Sequence, residues 1–194
     1  FIWELINLIR FLILITAFIL FSCNKDAEDI VLVSEKLYVC DQVTDEVIVL
    51  DASTDNLDVI ATVSIDLSDD DSLPEIPHFV AIDETSGYWF VTTMHGGFVG
   101  MYSLDADTLI SSIELGDAPA LLAVEPVSQM LYVSRMMSMV GGDTGGLEHK
   151  LNVLDYSSGG LVQVDDICLT NLEDSATEND FFPEPHALSV YHHT

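Results

Sequence analysis

Three histidines stand at places where the chain could bind a metal ion or the edge of a haem. His78 and His186 each follow a proline directly, in the matching segments Pro77-His78-Phe79-Val80 and Pro185-His186-Ala187-Leu188. His95 lies in a glycine-containing, turn-like segment. Imidazole nitrogen suits copper, zinc and iron, so His78, His95 and His186 are candidate metal ligands. The alternative is that each Pro-His pair starts a strand and hydrogen-bonds locally. Ala120, at the third equivalent position, interrupts the set.

A run of carboxylates offers a second kind of site. Asp69, Asp70 and Asp71, with Asp66 and Glu75 nearby, could bind Ca²⁺ through clustered oxygens. The run lacks the ordered acidic spacing and central glycine of a calcium loop, which favours a solvated acidic loop instead. No arrangement of nucleophile and base emerges from the serines and histidines. We therefore assign no catalytic residues and favour a protein that is not an enzyme.

The amino-terminal residues resemble a bacterial lipoprotein signal. An apolar run, residues 11–21, follows Arg10 and is shorter than the ~20 residues that cross a bilayer as a helix. Next comes Leu20-Phe21-Ser22-Cys23, which resembles a lipobox. We expect residues 1–22 to be a signal peptide, Cys23 to be lipidated and residues 23–35 to form an acidic tether; a membrane-spanning anchor is the alternative. The resemblance implies a bacterial cell-envelope address, lipid-anchored in the periplasm or on the outer-membrane surface.

The rest of the chain repeats one pattern of short apolar runs. Pro77 and Pro119 are 42 positions apart, and so are Val91 and Val133. This period matches the ~40–45 residues of a four-stranded propeller blade. Where the spacing stretches, the extra residues are acidic (66–72) or glycine-rich (141–146) and fit loops.

These runs alternate with turn residues, which predicts an all-β fold. In each copy an apolar run with a central aromatic residue comes first, then a Leu-Asp pair, then a run that begins with proline. The runs with a central aromatic residue are Leu37-Tyr38-Val39, Trp89-Phe90-Val91 and Leu131-Tyr132-Val133; the Leu-Asp pairs are Leu50-Asp51, Leu104-Asp105 and Leu154-Asp155.

The pattern resembles the Tyr-Val-Thr-Asn (YVTN) repeat family of bacterial propellers, which includes YncE-like proteins and is similar in fold to cytochrome d1-like propellers. The resemblance implies that residues 36–194 form an incomplete β-propeller of about three to four blades. Pro185 begins a further copy that the sequence does not complete, so we expect a fragment.

Charge restricts the partners. The formal net charge is −28, with 5 Lys and Arg against 33 Asp and Glu, which excludes nucleic acid as a partner because phosphates demand basic clusters. Besides Cys23 there are Cys40 and Cys168, which we expect to be buried free thiols.

The function predicted from these features is an extracytoplasmic lipoprotein whose propeller binds a protein or a small molecule. The alternatives are a metal- or haem-dependent redox propeller, with ligands at the central channel, and a lactonase-like hydrolase. No cofactor is the favoured expectation, with copper, haem or Ca²⁺ as the alternatives.

Overall fold

The computed structural model describes residues 35–69, 72–116, 118–135, 150–168 and 188–190. Within them the chain forms strands joined by turns and loops, which confirms the expected all-β class. No helix among these residues is long and apolar enough to cross a membrane. The predicted signal peptide, Cys23 and most of the tether lie outside the described residues.

The strands form three antiparallel sheets in which chain neighbours pair. Sheet 1 contains β1 (Lys36–Asp41), β2 (Glu46–Asp51) and β3 (Val59–Ser64); sheet 2 contains β4 (Pro77–Asp83), β5 (Tyr88–Thr93), β6 (Phe98–Ser103) and β7 (Leu109–Glu114); sheet 3 contains β8 (Pro119–Glu125), β9 (Met130–Arg135), β10 (Lys150–Asp155) and β11 (Val162–Cys168). Each sheet is one repeat of the sequence, and the Pro-led runs are the first strands of sheets 2 and 3.

The first strands lie at the convergent edge of the arrangement. β4 runs beside β8, the first strand of the next sheet, and β5 also approaches β8. β1 approaches β4 in the same way that β5 approaches β8, so β1 takes the place of a second strand. This is the radial arrangement of propeller blades.

The predicted alignment of the Leu-Asp pairs was wrong by two residues in sheet 2, at Leu104. A β-bulge interrupts the equivalent strands β2, β6 and β10, at Val49/Leu50, Met101/Tyr102 and Val153/Leu154 respectively. Tyr102 therefore matches Leu50 and Leu154, and the predicted partner Leu104 lies in the following turn. Because side chains of a strand alternate between faces, a slip by two keeps an apolar residue on the same face and escapes notice in the pattern.

Two apolar clusters join consecutive sheets. Val47 of sheet 1 packs with Trp89, Val91 and Tyr102 of sheet 2, and the rings of Trp89 and Tyr102 stack with centroids 4.2 Å apart. The second cluster joins sheets 2 and 3; its buried members are Phe90, Val99, Met101, Leu122, Leu131, Val133, Leu154, Tyr156 and Leu161. Each fully buried side chain of this size contributes about 1.5–3 kcal/mol, so these clusters hold the sheets face to face.

Candidate functional site

The end of the sheets where β4 and β8 begin, which we call the upper end, carries the predicted histidine site. His78 is the second residue of β4 and is half-buried. The side-chain amide of Gln42, in the turn between β1 and β2, lies 2.8 Å from His78 Nδ1. A glutamine amide nitrogen can only donate, so Nδ1 accepts and its lone pair is used. His78 therefore links sheet 2 to sheet 1.

The remaining predicted site residues do not join His78 in the described structure. His95 is exposed in the turn between β5 and β6, and Asp69 is exposed in the loop before β4. His186, Asp70, Asp71 and Cys23 lie outside the described residues. Among the residues that are described, no three His, Cys, Asp or Glu side chains come close enough to hold a metal ion. The geometry does not assemble a metal centre from this part of the chain.

Glu75, at the same upper end, is buried under the acidic loop. Its side chain is 4% exposed, and Oε1 accepts hydrogen bonds from the backbone amides of Leu67 (3.0 Å) and Ser68 (2.6 Å). Oε2 lies against Gly96, where a Cβ atom would come within 1.9 Å of it. Gly96 is thus needed to admit the carboxylate. The sequence interpretation grouped Glu75 with the calcium candidates, whereas this carboxylate fixes the loop that precedes β4.

Arg135, the last residue of β9, is a buried cation at the upper end of sheet 3. It is 1% exposed, and its Nη1 donates to Leu115 O at 2.7 Å and to Asn152 Oδ1 at 3.0 Å. Asn152 Nδ2 in turn donates to Asp166 Oδ1 at 2.7 Å. A buried charge is tolerated only where it is hydrogen-bonded, and this chain of bonds ties β9, β10 and β11 to the segment that leaves sheet 2.

Two acidic residues cap the turns at the opposite, lower end. Asp83 Oδ1 accepts the amides of Thr85 and Ser86, and the carboxylate of Glu125 accepts those of Val127 and Ser128. An acid with a serine three residues later occurs in both copies, 42 positions apart, and this signal could have located the turns from the sequence.

The same Asp83 carboxylate also joins two sheets. Its Oδ2 accepts a hydrogen bond from the Tyr156 hydroxyl of sheet 3 at 2.8 Å, a contact between residues 73 positions apart. Nearby, the Gln129 side-chain amide of sheet 3 donates to the Ser86 hydroxyl of sheet 2 at 2.8 Å. Nothing local in the sequence marks either contact.

Asp107 performs the corresponding role between sheets 1 and 2. It lies just before β7 with a left-handed backbone, φ 53°. Oδ1 accepts from the Tyr38 hydroxyl at 2.8 Å and from Trp89 Nε1 at 3.1 Å, and Oδ2 pairs with Lys36 Nζ at 2.8 Å. The carboxylate therefore binds two donors of β1 and one of β5.

Burial acts on the titratable groups of these contacts. Burial is the largest cause of the raised pKa of Tyr38, and the hydrogen bond to Asp107 raises it further. For Tyr156, burial is again the largest cause, and the hydrogen bond to Asp83 adds to it. Both phenols therefore remain protonated donors at neutral pH. Burial also raises the pKa of Cys40 to about 11, so this half-buried free thiol is protonated and unreactive at neutral pH.

Together, these buried polar side chains hold turns, loops and neighbouring sheets in place. Asp83 and Asp107 accept bonds across sheet boundaries, and Glu75 and Arg135 fix the connecting segments. At the upper end, His95 and Asp69 are exposed, and so is the hydrogen bond between Gln42 and His78. That arrangement provides hydrogen bonds and negative charge.

Comparison with known proteins agrees with the sheet arrangement. No family model matches the chain, and no curated protein matches it. Among solved structures it is similar to the hydrazine synthase of Kuenenia stuttgartiensis, with 17% identity, a TM-score of 0.54 and coverage of 77% of this chain and 34% of that one. It is also similar to the dihydro-haem d1 dehydrogenase NirN in complex with DHE, with 17% identity, a TM-score of 0.52 and coverage of 79% and 27%.

A third similar structure is a proposed 6-phosphogluconolactonase from Bacteroides fragilis, with 16% identity, a TM-score of 0.54 and coverage of 68% and 35%. The chain thus spans about a third of the length of the solved proteins that it matches. At such identity the likeness concerns the fold and not the activity. The sheets, their order and these neighbours identify the described part of the chain as an incomplete β-propeller.

Proposed function

We propose that this protein is a lipid-anchored, extracytoplasmic β-propeller that binds a ligand without transforming it. The Leu20-Phe21-Ser22-Cys23 segment supports the anchor, because a lipidated cysteine after a short apolar run tethers a folded domain to a membrane. A propeller supports binding because its strand ends and loops form a broad surface on a rigid scaffold.

The observation that carries the binding role is the contact between Gln42 and His78. His78, one of the three candidate metal ligands, uses Nδ1 to accept a hydrogen bond from the neighbouring sheet at 2.8 Å. Metal coordination through that nitrogen would break this contact. The upper end is then a hydrogen-bonding surface that spans two blades.

Charge indicates the class of ligand. With a net charge of −28, the surface repels polyanions and favours neutral or cationic partners. A cationic protein segment or a neutral small molecule fits this surface, and nucleic acid does not.

The anchor is tested by the variant Cys23→Ser in the full-length protein. We expect this variant to leave the membrane fraction and to lose incorporation of labelled fatty acid. Cys40→Ser, which changes a cysteine of β1, is the matched control and should stay membrane-bound. Membrane retention of Cys23→Ser with an uncleaved amino terminus would instead indicate a spanning anchor.

The binding role is tested by titrating CaCl₂, CuSO₄ and ZnCl₂ into the full-length protein in a calorimeter. We expect no stoichiometric binding heat that depends on His78. One equivalent of copper bound by the parent protein, and lost in His78→Ala, would replace this proposal with the metal-dependent redox alternative. One equivalent of zinc lost in the same variant would show a metal site without redox chemistry and would equally contradict the proposal.

A further inference from the structure

The lower end of the sheets carries a group of exposed apolar side chains. Each of the three outermost strands, β3, β7 and β11, begins there with an exposed apolar residue. In β3 and β7 the second residue is apolar and exposed as well, and so is one residue of the turn between β8 and β9. We call these six side chains the lower rim; they are Val59, Ile60, Leu109, Ile110, Val127 and Val162, and their exposed fractions lie between 40% and 80%.

The other halves of the same strands are polar where they are exposed. β3 and β7 have the same pattern of burial, in which the first, second, fourth and sixth residues are exposed. The first two are apolar, whereas the last two are Thr62 and Ser64 in β3 and Ser112 and Glu114 in β7. Single exposed apolar residues are common on protein surfaces, but a gradient that repeats on two sheets marks a candidate interaction surface.

The amino-terminal segment enters the sheets at this lower end. The first residue of β1, Lys36, pairs in register with Asp51, the last residue of β2. Lys36 Nζ also donates to Leu104 O at 2.7 Å and pairs with Asp107 at 2.8 Å, which fixes the entry point to sheet 2. The predicted tether, residues 23–35, is thirteen residues long and reaches at most about 45 Å when fully extended. A lipidated Cys23 would therefore hold the lower rim within this distance of a membrane.

The carboxylates of the lower end restrict the kind of surface that it can contact. Four of them accept the backbone amide of the residue two positions later; they belong to Asp51, Asp83, Glu125 and Asp155. Others are exposed at the turns; they are Asp55, Asp58, Glu84 and Asp105. Exposed carboxylates are repelled by anionic lipids but can stay hydrated beside neutral headgroups. The lower end thus suits an electrically neutral lipid surface.

We infer that the lower rim is a membrane-docking surface, which lies on electrically neutral lipid and directs the upper end away from the membrane. The inference depends on the proposed lipid anchor, because a short tether raises the local concentration of the rim at the bilayer to about the millimolar range. At that concentration even a weak apolar contact is occupied, since its strength scales with the apolar area that enters the interface. A second copy is disfavoured as the occupant because each chain carries a net charge of −28.

The test compares fluorescent probes at opposite ends of the lipidated full-length protein in vesicles. Val127→Cys carries the probe at the lower end, and Val43→Cys, at a position 92% exposed in the turn between β1 and β2, carries it at the upper end. Both variants also carry Cys40→Ser and Cys168→Ser, so that a nitrobenzoxadiazole probe is directed to the introduced thiol. The vesicles contain phosphatidylcholine and a nitroxide-labelled phosphatidylcholine that quenches the probe at short range.

We expect the probe at position 127 to be quenched about fivefold more strongly than the probe at position 43, because docked apolar side chains enter about 5–10 Å into the headgroup boundary. Vesicles that also contain phosphatidylglycerol should give weaker quenching at low salt, and added NaCl should restore it. The double substitution Val59→Asp with Leu109→Asp should lower quenching at position 127 to the level at position 43. Leu73→Asp, at an exposed position of the upper end, is the matched control and should not.

Flotation of the same samples separates the docking from the anchor. Protein that floats with the vesicles but shows equal quenching at both positions would overturn the docking and leave the anchor intact, whereas protein that does not float would overturn both. A probe at position 127 that is shielded from aqueous iodide before vesicles are added would assign the cover to another part of the protein or to a second copy. That result would also overturn the inference.

Discussion

The Tyr38 hydroxyl donates a hydrogen bond to Asp107 Oδ1 at 2.8 Å across the boundary between sheets 1 and 2. Lys36, two residues earlier on β1, pairs with the other oxygen of the same carboxylate at 2.8 Å. Alternate residues of β1 thus bind one aspartate of the next sheet. Sheets 2 and 3 are joined by an analogous bond, from Tyr156 to Asp83, at the same end of the strands.

Asp107→Asn should destabilise the protein by about 1–2 kcal/mol, because the amide keeps an acceptor for Tyr38 and loses the ion pair with Lys36. Asparagine tolerates the left-handed backbone at this position, so the change isolates the charge. Urea unfolding measures the effect. The control Asp105→Asn, in the same turn but exposed, should change stability by less than about 0.5 kcal/mol. Equal effects of the two variants would show that Asp107 does not hold the sheets together.

Tyr156→Phe should cost about 1–2 kcal/mol, since it leaves Asp83 Oδ2 without its donor in a buried position. A double-mutant cycle with Asp83→Asn measures the pairwise coupling. We expect the two effects to be non-additive by more than about 0.5 kcal/mol, as for residues in direct contact. Strict additivity would contradict the contact.

Stability should fall as the pH rises above about 10, the pKa of tyrosine in an unfolded chain. Burial and the acidic partners raise the pKa values of Tyr38 and Tyr156 in the folded protein, so the folded state holds protons that the unfolded state releases. The stabilisation is complete below the unfolded pKa and is lost as the pH rises from that value towards the folded pKa. Urea unfolding between neutral and alkaline pH measures the slope, which Tyr38→Phe should reduce. An unchanged slope in that variant would count against the buried Tyr38 phenol as a cause.

Gly96→Ala should destabilise the loop before β4 by about 2–3 kcal/mol, because the new methyl group must displace the buried Glu75 carboxylate. In a Glu75→Ala background the same substitution should cost less, and the remaining cost comes from Thr93 Oγ1, which the new Cβ would meet at 2.8 Å. Gly160→Ala, whose Cβ would meet Ser111 Oγ at an ordinary 3.6 Å, is the matched control. Similar costs of Gly96→Ala in both backgrounds would exclude the carboxylate as the cause.

The repeat period and the strands could be predicted from the sequence because each depends on residues close together in the chain. The starts of β4 and β8 fall on Pro77 and Pro119, and the described residues of the acidic insertion lie outside the strands. The alignment failed at Tyr102, where a displacement by two residues preserves the apolar face.

The contacts that join the sheets could not be predicted in this way. Tyr38 and Asp107 are 69 positions apart, and the repeat pattern that contains Tyr38 does not indicate its partner. His78 was correctly placed at the start of a first strand, but its partner Gln42 depends on how two sheets pack. Tertiary packing decides such pairs, and the pattern of a single repeat contains no information about it.

The proposed function requires that this propeller binds a ligand through its surface without carrying a metal or haem. The most direct measurement is the metal and haem content of the full-length protein purified from membranes, by elemental analysis and visible absorption. We expect substoichiometric copper, zinc and iron and no haem absorption band. Stoichiometric copper or iron, or a haem spectrum that copurifies with the protein, would contradict it.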